Sequence, residues 1–251
     1  MAAPPSPPCA GASWNESLPV TPNYGHAFIV NVGLPRTGTT SFSAACNLLG
    51  LRVMHSWPSP GGRAHSESWR DRWLRDAAHY PRVLQGEAGQ LRGFDALADT
   101  PFYTRAAAFK RAYPNATFVC TTRAMNSWID SMVFGHLGAG GMYLPREYCL
   151  SIGPPYANTS ETRRALEHIF TTHQQNECSA VGATPLDLTD GSAALWRGLC
   201  GAVSPMLKGG GPRAMCERLL ARGAPAWPQY HIEVSKSTHP SKHNASHAHV
   251  G

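Results

Sequence analysis

Lysine is nearly missing from this chain, which has four among 251 residues, at positions 110, 208, 236 and 242. The arginines are not gathered in long runs, and only Arg70, Arg72 and Arg75 cluster with aromatics, at Trp69 and Trp73. The usual electrostatic track for nucleic acid is therefore absent, although the net charge is +6 and suits an anionic ligand. No apolar run is long enough for a membrane-spanning helix or a secretory leader. No Cys-x-x-Cys pair or metal-like grouping occurs among the seven cysteines, Cys9, Cys46, Cys120, Cys149, Cys178, Cys200 and Cys216. Their odd number argues against a complete disulfide framework, and Cys46, Cys120 and Cys200 read as reduced, buried small hydrophobes. His243, His247 and His249 have neither carboxylate nor thiol beside them, so they read as a solvated tail and no structural metal is expected.

With 42% hydrophobic residues, the chain can bury one sizeable core. Residues 1–24, rich in Pro, Ser and Ala, and residues 235–251, rich in Ser, His and Lys, lack apolar periodicity and read as disordered tails. One domain over 25–234 remains.

What is present is most concentrated at Phe28-Ile-Val-Asn-Val-Gly-Leu-Pro-Arg-Thr-Gly-Thr-Thr-Ser-Phe42. An apolar strand feeds a turn from Gly33 to Gly38, and a helix opens near Thr39 with hydroxyls at Thr39, Thr40 and Ser41. Backbone N–H groups and a helix N-terminus aimed at one point make an anion cradle. The glycine spacing equals that of a nucleotide-binding P-loop, but Thr39 stands where that loop requires Lys. ATP or GTP hydrolysis loses its phosphate-reaching cation by this change. The loop instead carries Arg36, whose planar donors fit phosphate or sulfate oxygens, on a turn stiffened by Pro35.

A second block, Tyr113-Pro-Asn-Ala-Thr-Phe-Val-Cys-Thr-Thr-Arg123 followed by Trp128 and Ser131, reads as strand, loop and helix, with Asn126 or a neighbour as the cap. Arg123 then falls at the carboxyl edge of a parallel strand, where ligands of open α/β sheets collect. Together the two blocks resemble the sulfotransferases that use 3'-phosphoadenosine 5'-phosphosulfate (PAPS), most closely the branch with a Gly-Leu-Pro-Arg-Thr-Gly-Thr loop. Asn47 to His55, Asp99-Thr-Pro101 and Leu186 to Cys200 resemble further segments, so the likeness covers about residues 26–202.

The resemblance implies an α/β fold, a single P-loop-type domain whose central, mostly parallel sheet is flanked by helices on both faces. It implies that Pro35, Arg36, Thr37, Gly38, Thr39, Thr40 and Ser41 hold the phosphosulfate end of PAPS, while Arg123 and Ser131 grip its 3'-phosphate. It implies transfer of a sulfuryl group to a hydroxyl or amine by in-line displacement, without a metal. Arg36 would neutralise the leaving oxygen, and the general base would be His55, Asp99 or Glu87. His55 and Asp99 also have plain readings, as a packed histidine and as the cap of the helix after Pro101. A noncatalytic nucleotide-binding relative and a small-molecule kinase using ATP and Mg²⁺ are the alternatives.

Strands are expected near 27–32, 51–54, 82–85, 117–121 and 185–188, and helices near 39–49, 68–78, 101–112, 126–134, 160–177, 191–202 and 212–222. The stretch 135–156 has no clear period and reads as a loop over the acceptor, a small molecule, glycan or lipid. Trp57, Trp69, Trp73, Tyr103, Tyr143 and Tyr156 offer stacking or core faces. Arg63, Arg70, Arg72 and Arg75 read as a solvated helix face, or as a patch for an acidic acceptor. The cytoplasm is the expected compartment. The sequons at Asn15, Asn115, Asn158 and Asn244 point to the Golgi lumen, should an anchor lie outside this chain. Oligomeric state is left open.

Overall fold

A computed structural model describes residues 29–55, 63–64, 94–99, 102–103, 106–137, 158–204 and 210–228. The strands are β1 (Ile29–Asn31), β2 (Val53–His55), β3 (Arg63–Ala64), β4 (Ala96–Ala98), β5 (Thr117–Thr122) and β6 (Thr184–Asp187). They form one sheet in the order β3-β2-β4-β1-β5-β6, and every pairing is parallel. The helices are α1 (Thr39–Leu48), α2 (Ala106–Ala112), α3 (Met125–Ser131), α4 (Ser160–His173), α5 (Ser192–Val203) and α6 (Gly210–Ala221). Wider π-type turns extend α3 over Met132–Leu137 and α4 over Gln174–Cys178.

Side chains alternate across the sheet, as the two-residue period of a strand requires. Ile29, Val53, Ala96, Ala98, Val119 and Leu186 face one core with Phe42 of α1 and Trp196 and Leu199 of α5. Val30, Met54, Leu97, Phe118 and Cys120 face a second core with Phe109 of α2. Covered on both faces, the central strands carry no solvent side, which explains their near-continuous apolar runs. A third core, with Leu34, Tyr103, Trp128, Met132, Leu166 and Ile169, joins the loop after β1 to α3 and α4. Tyr103 is fully buried there, so of its two readings the core face holds.

Several expectations are corrected. The parallel sheet is as expected, but β4 falls outside the expected strands, because alanine has a low strand preference and tertiary position overrides it here. The helix expected over 101–112 begins at Ala106, after a turn in which Phe102 N donates to Asp99 O at 2.8 Å. Asp99 is thus not its cap, and Glu177 Oε2 instead accepts from Ala106 N at 2.6 Å. Asn126 is not a cap either, since the α3 cap is Ala124, without a side-chain bond. The first residues of the expected loop 135–156 belong to the turns ending at Leu137.

Cysteine chemistry also differs. Cys120 is bonded to Cys178, with 5.8 Å between Cα atoms, and Cys200 to Cys216, with 5.6 Å. Only long-range packing brings these partners together, so the two disulfides replace the reduced state expected for Cys120 and Cys200. Cys46 is a free, buried thiol, and burial pushes it upward in pKa. The expected strand 82–85, the helix 68–78, Glu87, Trp57, Trp69, Trp73, Tyr143, Tyr156, Arg70, Arg72, Arg75, Cys9, Cys149, Asn15, Asn244, the C-terminal histidines and both tails lie outside the described residues.

Candidate functional site

All the described strands run in one direction, so the carboxyl ends of β1, β2, β4 and β5 share one edge of the sheet. Asn31, the last residue of β1, is a buried amide in an apolar strand. Its Oδ1 accepts from Gly33 N at 2.9 Å and from Thr121 N at 3.2 Å, which bends the chain out of the sheet. Proton accounting fixes the rest of this network. Thr37 donates its hydroxyl to Leu34 O at 2.6 Å, so the Thr121 hydroxyl is the donor that serves both Thr37 Oγ1 at 3.0 Å and Asn31 Oδ1 at 3.2 Å. Asn31 Nδ2 then donates to Thr121 Oγ1 at 3.1 Å. One buried relay therefore braces the loop from below.

Two glycines are dictated by geometry. A Cβ on Gly33 would strike the backbone and side chain of Thr121. Gly38 has φ 99° and would drive a Cβ into Leu188. Gly38→Ala is expected to cost about 2 kcal/mol of stability, read as a lower denaturant midpoint; an unchanged midpoint would show that the loop relaxes freely.

Arg36 also adopts a left-handed conformation, φ 68°, a strain that a non-glycine residue keeps only where its surroundings impose it. Trp128 Nε1 donates to Pro35 O at 2.8 Å, and Arg36 Nε donates to Ser131 Oγ at 2.9 Å. Helix α3 is thereby joined to the loop in two places. Arg123, just past β5, donates to Ser127 Oγ at 2.6 Å and leans toward Arg36 O at 3.5 Å. Burial, then the positive charge of Arg123, lowers the Arg36 pKa, and Asp99 partly offsets both. The guanidinium stays charged at any ordinary pH, because its starting value is so high. Two crowded cations beside a helix N-terminus that has no side-chain cap favour an anion between them.

On the other side of the edge, His55 ends β2 and Asp99 follows β4. Both are buried. His55 Nε2 lies 3.2 Å from Thr39 Oγ1 and 3.8 Å from Asp99 Oδ2. Asp99 too has φ 68°. Thr39 and Ser41 are buried in the first turn of α1, whereas Thr40 is half-exposed.

The structure thus gathers Pro35 to Ser41, Arg123 and Ser131 in one corner and sets His55 with Asp99 beside Thr39. Ser131 bonds Arg36, while Arg123 takes Ser127 as its partner. Sequence reasoning missed Ser127, the Asn31–Thr121 brace and His173, whose Nε2 lies 2.7 Å from Val32 O. A polar Asn inside an apolar strand was the one available signal. Among the described residues no group of His, Cys, Asp and Glu could hold a metal ion.

The fold is a parallel α/β domain, and the loop at the carboxyl edge of its central strand sets Arg36 and Arg123 beside a helix N-terminus. The chain belongs to the sulfotransferase domain family, whose model matches residues 28–186. Among curated proteins it is similar to Ava biosynthesis cluster protein M of Aspergillus versicolor, 31% identical over 106 residues. That match spans 41% of this chain and 41% of the relative's length.

Proposed function

We propose that this chain transfers a sulfuryl group from PAPS to a hydroxyl or amine of a small-molecule, glycan or lipid acceptor. The observation that carries this reading is the meeting of Arg36 and Arg123, 87 residues apart, at the loop and helix N-terminus that follow β1. Bound PAPS supplies the sulfuryl group and leaves as 3'-phosphoadenosine 5'-phosphate. The N–H groups of Thr37 to Thr40 and the hydroxyls of Thr39 and Thr40 hold its 5'-phosphate, with Pro35, Gly38 and Ser41 shaping the cradle. Arg123 and Ser131 bind the 3'-phosphate, and Ser127 orients Arg123. The acceptor oxygen or nitrogen bonds to sulfur as the bridging S–O bond breaks, and Arg36 neutralises the charge gathering on that oxygen. His55 Nε2 takes the acceptor proton, and Asp99 stabilises the imidazolium so formed. The reaction needs no metal, because the leaving group is a phosphate already held.

One domain over 25–234 carries this activity. Nucleic acid is not a partner. Among the described residues no helix is long and apolar enough to cross a membrane. The two disulfides favour an oxidising lumen over the cytoplasm expected from sequence. Thr39 in place of Lys disfavours a kinase.

Calorimetry with 3'-phosphoadenosine 5'-phosphate, beside ATP with Mg²⁺, tests the reading. Tight binding of the former is expected, and Arg123→Ala should weaken it roughly 10- to 100-fold, the worth of charged hydrogen bonds. Preference for ATP would overturn the reading. Tight binding with no transfer to any acceptor would make the chain a noncatalytic relative.

A further inference from the structure

We propose that Asn115 carries an N-linked glycan, placed on the end of the domain opposite the anion-receiving edge. This modification does not depend on the sulfuryl chemistry. Asn115-Ala116-Thr117 is an acceptor sequon with no proline at its centre. A sequon alone is weak, but three structural observations add to it.

First, Asn115 is exposed at the tip of the turn between α2 and β5. Ala116 N donates to Tyr113 O at 2.9 Å, with Pro114 and Asn115 as the two central residues. Tyr113 and Ala116 are buried, so the core fixes the turn from beneath while the Asn115 side chain points to solvent. A bulky sugar there displaces no packed group.

Second, the turn feeds the amino end of β5, and Arg123 follows its carboxyl end. The six residues Thr117–Thr122 separate them by roughly 20 Å at strand rise. A glycan on Asn115 therefore leaves the crevice open. Asn158 differs, because its Oδ1 accepts from Arg163 at 3.2 Å and Arg163 also binds Asp130, the neighbour of Ser131.

Third, β5 itself carries Cys120, bonded to Cys178. Disulfides persist in the compartment where N-glycans are attached and are rare in the cytosol. The sequon runs into the strand that carries the disulfide, and the two require the same surroundings.

In the modification, Asn115 Nδ2 bonds to the anomeric carbon of a lipid-pyrophosphate-linked oligosaccharide. The sugar's C–O bond to pyrophosphate breaks, and the amide proton leaves to the base of the transferring enzyme. The exposed Asn side chain supplies the nucleophile and the Thr117 hydroxyl completes the recognised triplet.

The test begins with the protein isolated from its native cells, digested with peptide N-glycosidase and mapped by mass spectrometry under non-reducing conditions. A gain in gel mobility, conversion of Asn115 to Asp and the Cys120–Cys178 linked peptide are expected. The full chain secreted from a eukaryotic host should lose one glycan on either Asn115→Gln or Thr117→Ala, and should keep that glycan on Asn158→Gln. Recovery of an unmodified Asn115 peptide from the native protein overturns the proposal. So does an unmodified Asn115 in secreted protein whose disulfide has formed.

Discussion

Arg36→Ala is expected to lower kcat for sulfuryl transfer by about 10²- to 10³-fold, the usual loss when one preorganised charge donor is removed from a reacting oxygen. The guanidinium is held in place before any ligand arrives, by a left-handed backbone at φ 68° and by its 2.9 Å bond to Ser131. Its surroundings already disfavour the cation through burial and the charge of Arg123. On the proposed reading, incoming negative charge would relieve that cost, and most fully as it grows on the leaving oxygen. The loss should therefore fall on kcat more than on KM. Arg36→Lys keeps the charge but not the planar fork and should recover only part of the rate. Steady-state kinetics on the three proteins, with melting curves as a folding control, would decide the matter. A kcat for Arg36→Ala within threefold of the parent would remove Arg36 from the chemistry.

Acid is expected to unfold the domain through His173. This residue ends α4, is buried, and sits 2.7 Å from Val32 O at the root of the loop. Burial pulls its pKa down to about 4, a shift that the Val32 contact partly opposes. In the unfolded chain it titrates near ~6.5. The unfolded state therefore binds the proton first as pH falls, and stability declines between about 6.5 and about 4. The full shift corresponds to about 3 kcal/mol, present above that window and gone below it. Denaturant melts at pH 7 and pH 4.5 should show the loss. His173→Gln, which keeps a donor for Val32 O but does not titrate, should be less stable at pH 7 yet flatter with pH. An equal acid loss in both proteins would assign the effect to other groups.

How much could be read from the residues follows from the range of the interactions involved. β1, α1, β5 and the helices after β6 announce themselves by local pattern, and the placement of the Gly33–Gly38 loop after β1 needs nothing beyond its own stretch. β4 does not, because Ala96-Leu97-Ala98 is short and poor in strand formers, and its central place follows from pairing with both β1 and β2. The brace from Asn31 to Thr121 joins residues 90 apart, and His173 reaches Val32 across 141. No local period encodes such a meeting. The disulfides stayed hidden for the same reason, since their partners become neighbours only when α4 and α6 have packed.

Helices α3 and α4 lie together through Trp128 and Phe170, whose ring centroids are 5.2 Å apart, and through Ile129, Met132, Leu166 and Ile169. The exposed pair of Arg163 with Asp130, 2.7 Å apart, adds little energy of its own. The chain between residues 137 and 158 thus leaves from one packed helix and returns to its neighbour. Its two ends are joined by the hydrophobic contacts between α3 and α4. Lengthening such a segment costs little, because closure entropy rises only with the logarithm of its length. The joint between α3 and α4 is therefore closed by its own side chains, and through Trp128 and Ser131 it also sets the height at which Pro35 and Arg36 stand above the sheet.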